Sequence, residues 1–228
     1  MHIGLIGGIG VAATVVYYQR LTAAVTAMGG KLQLTIAHAE VTDLARNANA
    51  GNTAEQADIY AGLIDRLARA GCDCAAITSL GGHFCFEDTV ARSALPLVSA
   101  VAPLDDHFAS RGVGTVGLLG TSVLMRSQLF GQLSLTRAIV PDNLDLVGEA
   151  YQAMAIRGSS TKEDGRLFIE EGADLARRGA DAVVLAGTDL NLVFDEAKTG
   201  YTVIDALDVH VNLLARIATG QAELEAVT

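Results

Sequence analysis

Proline and cysteine are both scarce in this chain, three of each in 228 residues, and no cluster of basic residues occurs anywhere along it. With half its residues apolar and so few prolines, the chain can bury a sizeable core as one large or two small domains. The formal net charge of -10 excludes nucleic acid and anionic membrane surfaces as partners, because both reward lysine and arginine near phosphate. No apolar run approaches the roughly 20 residues that a membrane span needs. The opening MHIGLIGGIG has neither the basic flank nor the cleavage site of a signal peptide, so a cytoplasmic location is expected. Cys72, Cys74 and Cys85 are odd in number, and the only other metal ligand near them is His83. No metal site is therefore expected; buried thiols are, with Cys72 and Cys74 on one face of a strand.

What the chain does have is a duplication. AAITSLGGH (Ala75 to His83) and AVVLAGTDL (Ala182 to Leu190) are both apolar runs that break into a glycine-bearing polar turn, introduced by ARAGCDC and ARRGADA. Around them, apolar runs alternate with segments of helical spacing, the pattern of βαβ units in a parallel sheet. Strands are predicted at His2 to Ile6, Lys31 to His38, Cys74 to Thr78, Leu95 to Val101, Gly114 to Leu119, Arg137 to Val140, Ala182 to Leu185 and Tyr201 to Ile204. Helices are predicted at Ala12 to Ala27, Thr53 to Ala70, Glu87 to Ser93, Met125 to Leu133, Asp145 to Ile156, Lys162 to Arg178 and Ala206 to Thr219. The expected fold is α/β, two pseudo-symmetric lobes that are each a four-stranded parallel sheet flanked by helices, with a ligand cleft between them. The polar stretch Asp105 to Gly112 is the expected boundary: residues 1–104 with a returning C-terminal helix, 205–228, form one lobe and 105–204 the other.

In open parallel sheets, ligands sit beyond the carboxyl ends of the strands, where turns present backbone N–H groups. Four turns qualify: Gly7 to Gly10, Ser79 to His83, Gly120 to Ser122 and Gly187 to Asp189. All suit a small anion.

These segments resemble the aspartate/glutamate racemase family. IGLIGGIGVAATVVYYQRL (Ile3 to Leu21) is similar to the family's opening strand, glycine turn and first helix, and VGLLGTSVLM (Val116 to Met125) to the start of its second half. IVPD (Ile139 to Asp142) resembles its next strand end, and VIDALDVHVNLLARIA carries His210 where the family commonly has a histidine. The resemblance implies a homodimer that works without a cofactor on a small amino or dicarboxylic acid. It places the family's two cysteines, from turns of the form CNTAH and GCTEL, on Ser79 and Gly187, with Asp189 where a glutamate is usual.

Cofactor-free racemisation needs an acid/base group on each face of the α-carbon, and thiols serve because their pKa near roughly 8.5 can be tuned. Serine is a far weaker acid and glycine has no side chain, which excludes the two-thiol mechanism. Ser79 activated by His83, or Asp189 as a base, are the replacements the turns offer, and Cys85 is a third thiol near the first turn. For binding, Gly81 and Gly82 offer N–H groups and Thr121 and Thr188 hydroxyls, while Gly8, Gly10, Gly187 and His210 lie in the matching segments. Arg46 and Lys162 fall near segments where the family supplies cations to a distal carboxylate.

The expected function is a cofactor-independent isomerase, or a related lyase working through a carbanion. The rival from another class is a non-catalytic binder of a small carboxylate. A third reading follows from Gly8-Ile9-Gly10-Val11-Ala12-Ala13, which fits GxGxxA of a dinucleotide site, although Glu40 lies later than the supporting acid should.

Overall fold

A computed structural model describes residues 1–195 and 198–224 of the chain. Positions 196–197 and 225–228, which belong to the expected second and first lobes respectively, lie outside the described residues. The first sheet contains β1 (His2–Gly7), β2 (Gln33–His38), β3 (Cys74–Ile77) and β4 (Leu97–Val98), ordered β2-β1-β3-β4. The second contains β5 (Thr115–Leu119), β6 (Arg137–Ile139), β7 (Ala182–Leu185) and β8 (Val203–Asp205), ordered β6-β5-β7-β8. Every pairing is parallel. In both sheets the connections leave the central pair in opposite directions, which opens a crevice at the carboxyl ends of β1 and β3 and of β5 and β7.

Helices α1 (Val11–Ala27), α2 (Val41–Ala50), α3 (Thr53–Arg69) and α4 (Phe86–Val90) belong to the first half, followed by α5 (Leu104–Ser110). The second half carries α6 (Ser122–Arg126), α7 (Leu144–Arg157), α8 (Lys162–Arg177) and α9 (Asn191–Phe194), and α10 (Ala206–Ala218) is the last helix among the described residues. Helix α3 shows why these segments fold as they do. Ala57, Tyr60, Ile64 and Leu67 recur at helical spacing and are buried, and Glu55 in its first turn and Arg66 and Arg69 in its last complement the helix dipole.

One face of the first sheet packs Ile3, Leu5 and Val98 against Tyr17 and Leu21 of α1 and Leu207, Val211 and Leu214 of α10. The other packs Ile6, Ala75 and Ile77 under Tyr60 and Ile64 of α3. Each fully buried Ile, Leu or Val among them contributes roughly 1.5–3 kcal/mol. Cys72 enters the α3 cluster and Cys74 the α1 and α10 cluster, because Cys72 precedes the strand instead of alternating within it. The thiols therefore do not share a face, and no group of three or more metal-ligating side chains occurs among the described residues. No described helix is long and apolar enough to cross a membrane.

Several predicted elements differ. Strand β4 is shorter than Leu95 to Val101, because Ser99 turns the chain by accepting the Val101 and Ala102 N–H groups. The polar boundary stretch forms α5, whose buried Asp105 accepts N–H bonds from Ser134 and Leu135. The helix expected at Met125 to Leu133 stops at Arg126, and Gln128, Leu129 and Phe130 turn left-handed with φ of 48, 60 and 58°. Helix α2 is absent from the sequence reading because VTDLARNANA has few large apolar residues to mark a face.

Candidate active site

The turns after β1, β3, β5 and β7 meet between the sheets and enclose a cavity. Ile9, Gly10, Ser79 and Gly81 line it from the first half; Thr121, Ser122, Val123 and Asp189 line it from the second. Helix α2 closes one side with Val41, Leu44, Ala45, Ala48 and Asn49, and α7 the other with Gly148, Tyr151, Gln152, Ala155 and Ile156. The wall is mostly apolar, crossed by a short row of hydroxyls and one carboxylate.

That carboxylate belongs to Asp189, on the 3-10 turn Thr188–Leu190 that follows β7. Its side chain crosses to the first half, where Oδ1 accepts the Ala13 N–H at 3.2 Å in the opening turn of α1, and Oδ2 accepts the Tyr151 hydroxyl at 3.2 Å. Gly10 makes room for it: φ is +29°, and a Cβ there would run into the carboxylate. Asp189 is 1% exposed, and among the described residues no lysine, arginine or histidine lines the cavity. Burial raises its pKa to about 6, against the two hydrogen bonds that favour the ionised form.

Ser79 lies on the opposing wall, with its Oγ accepting the Gly82 N–H at 3.2 Å, so its own hydrogen is left to point elsewhere. Gly82 thus spends its N–H on Ser79 instead of on a ligand and does not line the cavity, whereas Gly81 does. Thr121 lines the cavity and caps α6 by accepting the Leu124 N–H at 3.3 Å.

The remaining predicted residues fall outside the lining. His83 Nδ1 bonds the Ser79 carbonyl at 2.8 Å and Nε2 accepts the Ala100 N–H at 3.0 Å, so neither nitrogen is free for the Ser79 hydroxyl. It is a turn-holding histidine, buried and neutral, with burial lowering its pKa to about 4. His210 is fully buried against the Tyr17 hydroxyl at 2.9 Å. The Gly8 N–H is spent on Thr14 Oγ1, and the Thr188 hydroxyl donates to the Thr78 carbonyl across the two halves. Arg46 pairs with Asp43 and Glu55 on the outer side of α2, and Lys162 is exposed at the start of α8. The expected cationic clamp for a distal carboxylate is therefore not at the cavity. Cys85 stays in the α3 cluster, its thiol pushed up to about 11 by burial. Gly187 lies behind the wall, beside Tyr151. The dinucleotide reading fails on charge, since the Asp189 carboxylate already occupies the opening turn of α1 where a pyrophosphate would sit.

The family profile described as Asp/Glu/Hydantoin racemase matches residues 6–214. The chain belongs to that family. Its fold is shared with Asp/Glu racemase structures at low sequence identity. Aspartate racemase of Picrophilus torridus superposes with a TM-score of 0.78 at 20% identity, over 96% of this chain and 95% of that one. An aspartate racemase homologue from Pyrococcus horikoshii gives 0.74 at 21% identity, over 96% and 99%. Glutamate racemase of Francisella tularensis, in complex with D-glutamate, gives 0.65 at 14% identity, over 100% and 84%. The turns after β3 and β7 carry serine at 79 and glycine at 187. Sequence reasoning missed Tyr151 and the α2 wall. The signal that could have found Tyr151 is the glycine at 187, which marks a space but not the side chain that fills it.

Proposed function

We propose that this chain is a cofactor-independent isomerase that forms a carbanion beside the carboxylate of a small acid, with Asp189 as its base. The observation that carries this reading is one buried carboxylate at the wall of the cleft, with no cation beside it among the described residues and a pKa near 6. A base poised near the working pH combines a large ionised fraction with real basicity. Asp189 takes the proton from the α-carbon, and the electron pair moves into the substrate carboxylate as an enediolate. The Ser79 and Thr121 hydroxyls and the Gly81 N–H face that carboxylate and stabilise the charge that develops on it.

No second carboxylate, histidine, lysine or thiol lines the cavity among the described residues. The proton therefore returns from one side only: to the α-carbon, which gives exchange with retention and no net change, or to another atom over which the carbanion is delocalised, which is the isomerisation, in preference to racemisation. Leu44, Ala45 and Ala48 on one side and Ala155 and Ile156 on the other suit an apolar substrate side chain. A second carboxylate would lie there with no counter-charge.

Solvent-deuterium exchange followed by NMR, over a panel of amino and carboxylic acids, tests this. Label is expected at the α-carbon of monoacids with apolar side chains and not of diacids, with loss of exchange in Asp189→Asn and a rate that rises with pH through about 6. Ligands that bind without exchanging would overturn catalysis in favour of a carboxylate-binding protein.

A further inference from the structure

Gly187 has φ -118° and ψ 118°, extended backbone that any residue adopts. Its lack of a side chain is therefore not a demand of the main chain; it is a demand of space. A Cβ built there would lie 2.6 Å from Cζ and 2.9 Å from Cδ2 of the Tyr151 ring, and closer still to Cε2. Tyr151 reaches this place from the buried stripe of α7, with Val147 and Met154 one turn away on either side. Its hydroxyl donates to Asp189 Oδ2 at 3.2 Å and its oxygen accepts the Asp189 N–H at 3.5 Å.

We infer that Tyr151 fills the volume a side chain at residue 187 would need and acts as the positioning residue for Asp189, so that tyrosine at 151 and glycine at 187 form one coupled exchange of volume. The positioning role rests on Asp189 being the base; the exchange of volume does not. The phenol fixes one carboxylate oxygen while the Ala13 N–H fixes the other, which leaves the carboxylate a single orientation at the cavity wall. The groups acting on Asp189 are that N–H from α1 and the phenol from α7; no charged side chain faces it from α2, α6 or the turn after β3. Burial and the adjacent carboxylate hold the phenol well above its ordinary pKa, so it stays a hydrogen-bond donor throughout the working range.

Tyr151→Phe keeps the ring and removes the hydroxyl. Exchange is expected to slow about 10-fold or more, the loss of one hydrogen bond to a charged group, with KM changed far less than kcat. Carbon-13 NMR of the Asp189 carboxyl reads the ionisation directly and needs no substrate: its midpoint is expected to move up in Tyr151→Phe. An unchanged midpoint overturns the positioning role, whether or not the wild type turns anything over. A moved midpoint in a protein that exchanges nothing supports the geometry while sinking the isomerase reading.

The volume exchange is read separately by thermal melts. Gly187→Cys alone is expected to melt well below the wild type. In the Tyr151→Ala background the same change is expected to cost almost nothing, so the two substitutions are strongly non-additive. A single Gly187→Cys as stable as the wild type, or purely additive effects, would overturn it.

Discussion

A carboxylate buried without a cation either accepts enough hydrogen bonds to stay ionised or moves its pKa toward neutrality, and Asp189 stands between the two. It has two donors, Ala13 N–H and Tyr151 hydroxyl, and burial still lifts it from 3.8 to about 6. Because the folded value is raised, the fold favours the protonated form. That contribution is present below about pH 4 and lost as pH rises through about 6. At pH 7 the ionised group costs stability, so Asp189→Asn is expected to stabilise the protein by roughly 1–2 kcal/mol while abolishing exchange, a stability and activity trade at one position. Urea unfolding at pH 7 and at pH 3.5 checks this: the advantage of the variant is expected to shrink toward zero at the lower pH. The turns that bring Ser79 and Asp189 to the cavity were legible in the sequence because each directly follows an apolar run. Tyr151 was not, because nothing local to α7 marks which residue of its buried stripe meets a glycine 36 positions on.

At the scale of elements, the strands and longer helices followed from periodicity, and the failures came where local hydrogen bonding competes with it. After α6 the Ser127 Oγ accepts the Phe130 N–H, the Leu129 N–H bonds the Leu124 carbonyl, and the chain runs through left-handed residues to Gly131. Apolar spacing alone reads this segment as continued helix. The left-handed conformation costs a residue with a Cβ roughly 1–2 kcal/mol, so the turn persists because Leu129 is fully buried and anchors it. Two neighbours with nearly the same backbone should then respond oppositely to glycine. Gln128 is exposed, and Gln128→Gly is expected to stabilise by about 0.5–1 kcal/mol, strain relief net of unfolded-chain entropy. Leu129→Gly gains the same relief and loses a buried side chain, a net cost of about 2 kcal/mol or more. Urea midpoints of the two variants that shift in the same direction would refute this account of the turn.

For the whole molecule, two buried histidines fix parts of the first half that surround the cleft. His83 ties the Ser79 turn to the chain beyond β4, and His210 ties α10 to α1 through Tyr17. Burial is the leading cause in both, lowering His83 to about 4 and His210 to about 3, so each is neutral in the fold and protonates near 6.5 in the unfolded chain. The sign follows directly. Between about pH 6.5 and 4 the unfolded state binds a proton at each histidine that the folded state refuses, so the stability these residues contribute above pH 6.5 is lost as pH falls. Each loses roughly 1.4 kcal/mol per pH unit across its window. The double variant His83→Gln/His210→Gln retains donors and acceptors for the same partners without a titrating ring. It is expected to be the less stable protein at pH 7, where it gives up packing, and the difference should narrow steadily as pH falls to 4, since only the wild type then works against histidine protonation. Urea midpoints at pH 7, 6, 5 and 4 measure the gap. Other acidic groups titrate alike in both proteins and cancel from the comparison, so a gap that stays constant over that range would mean that these rings do not stay neutral in the folded chain.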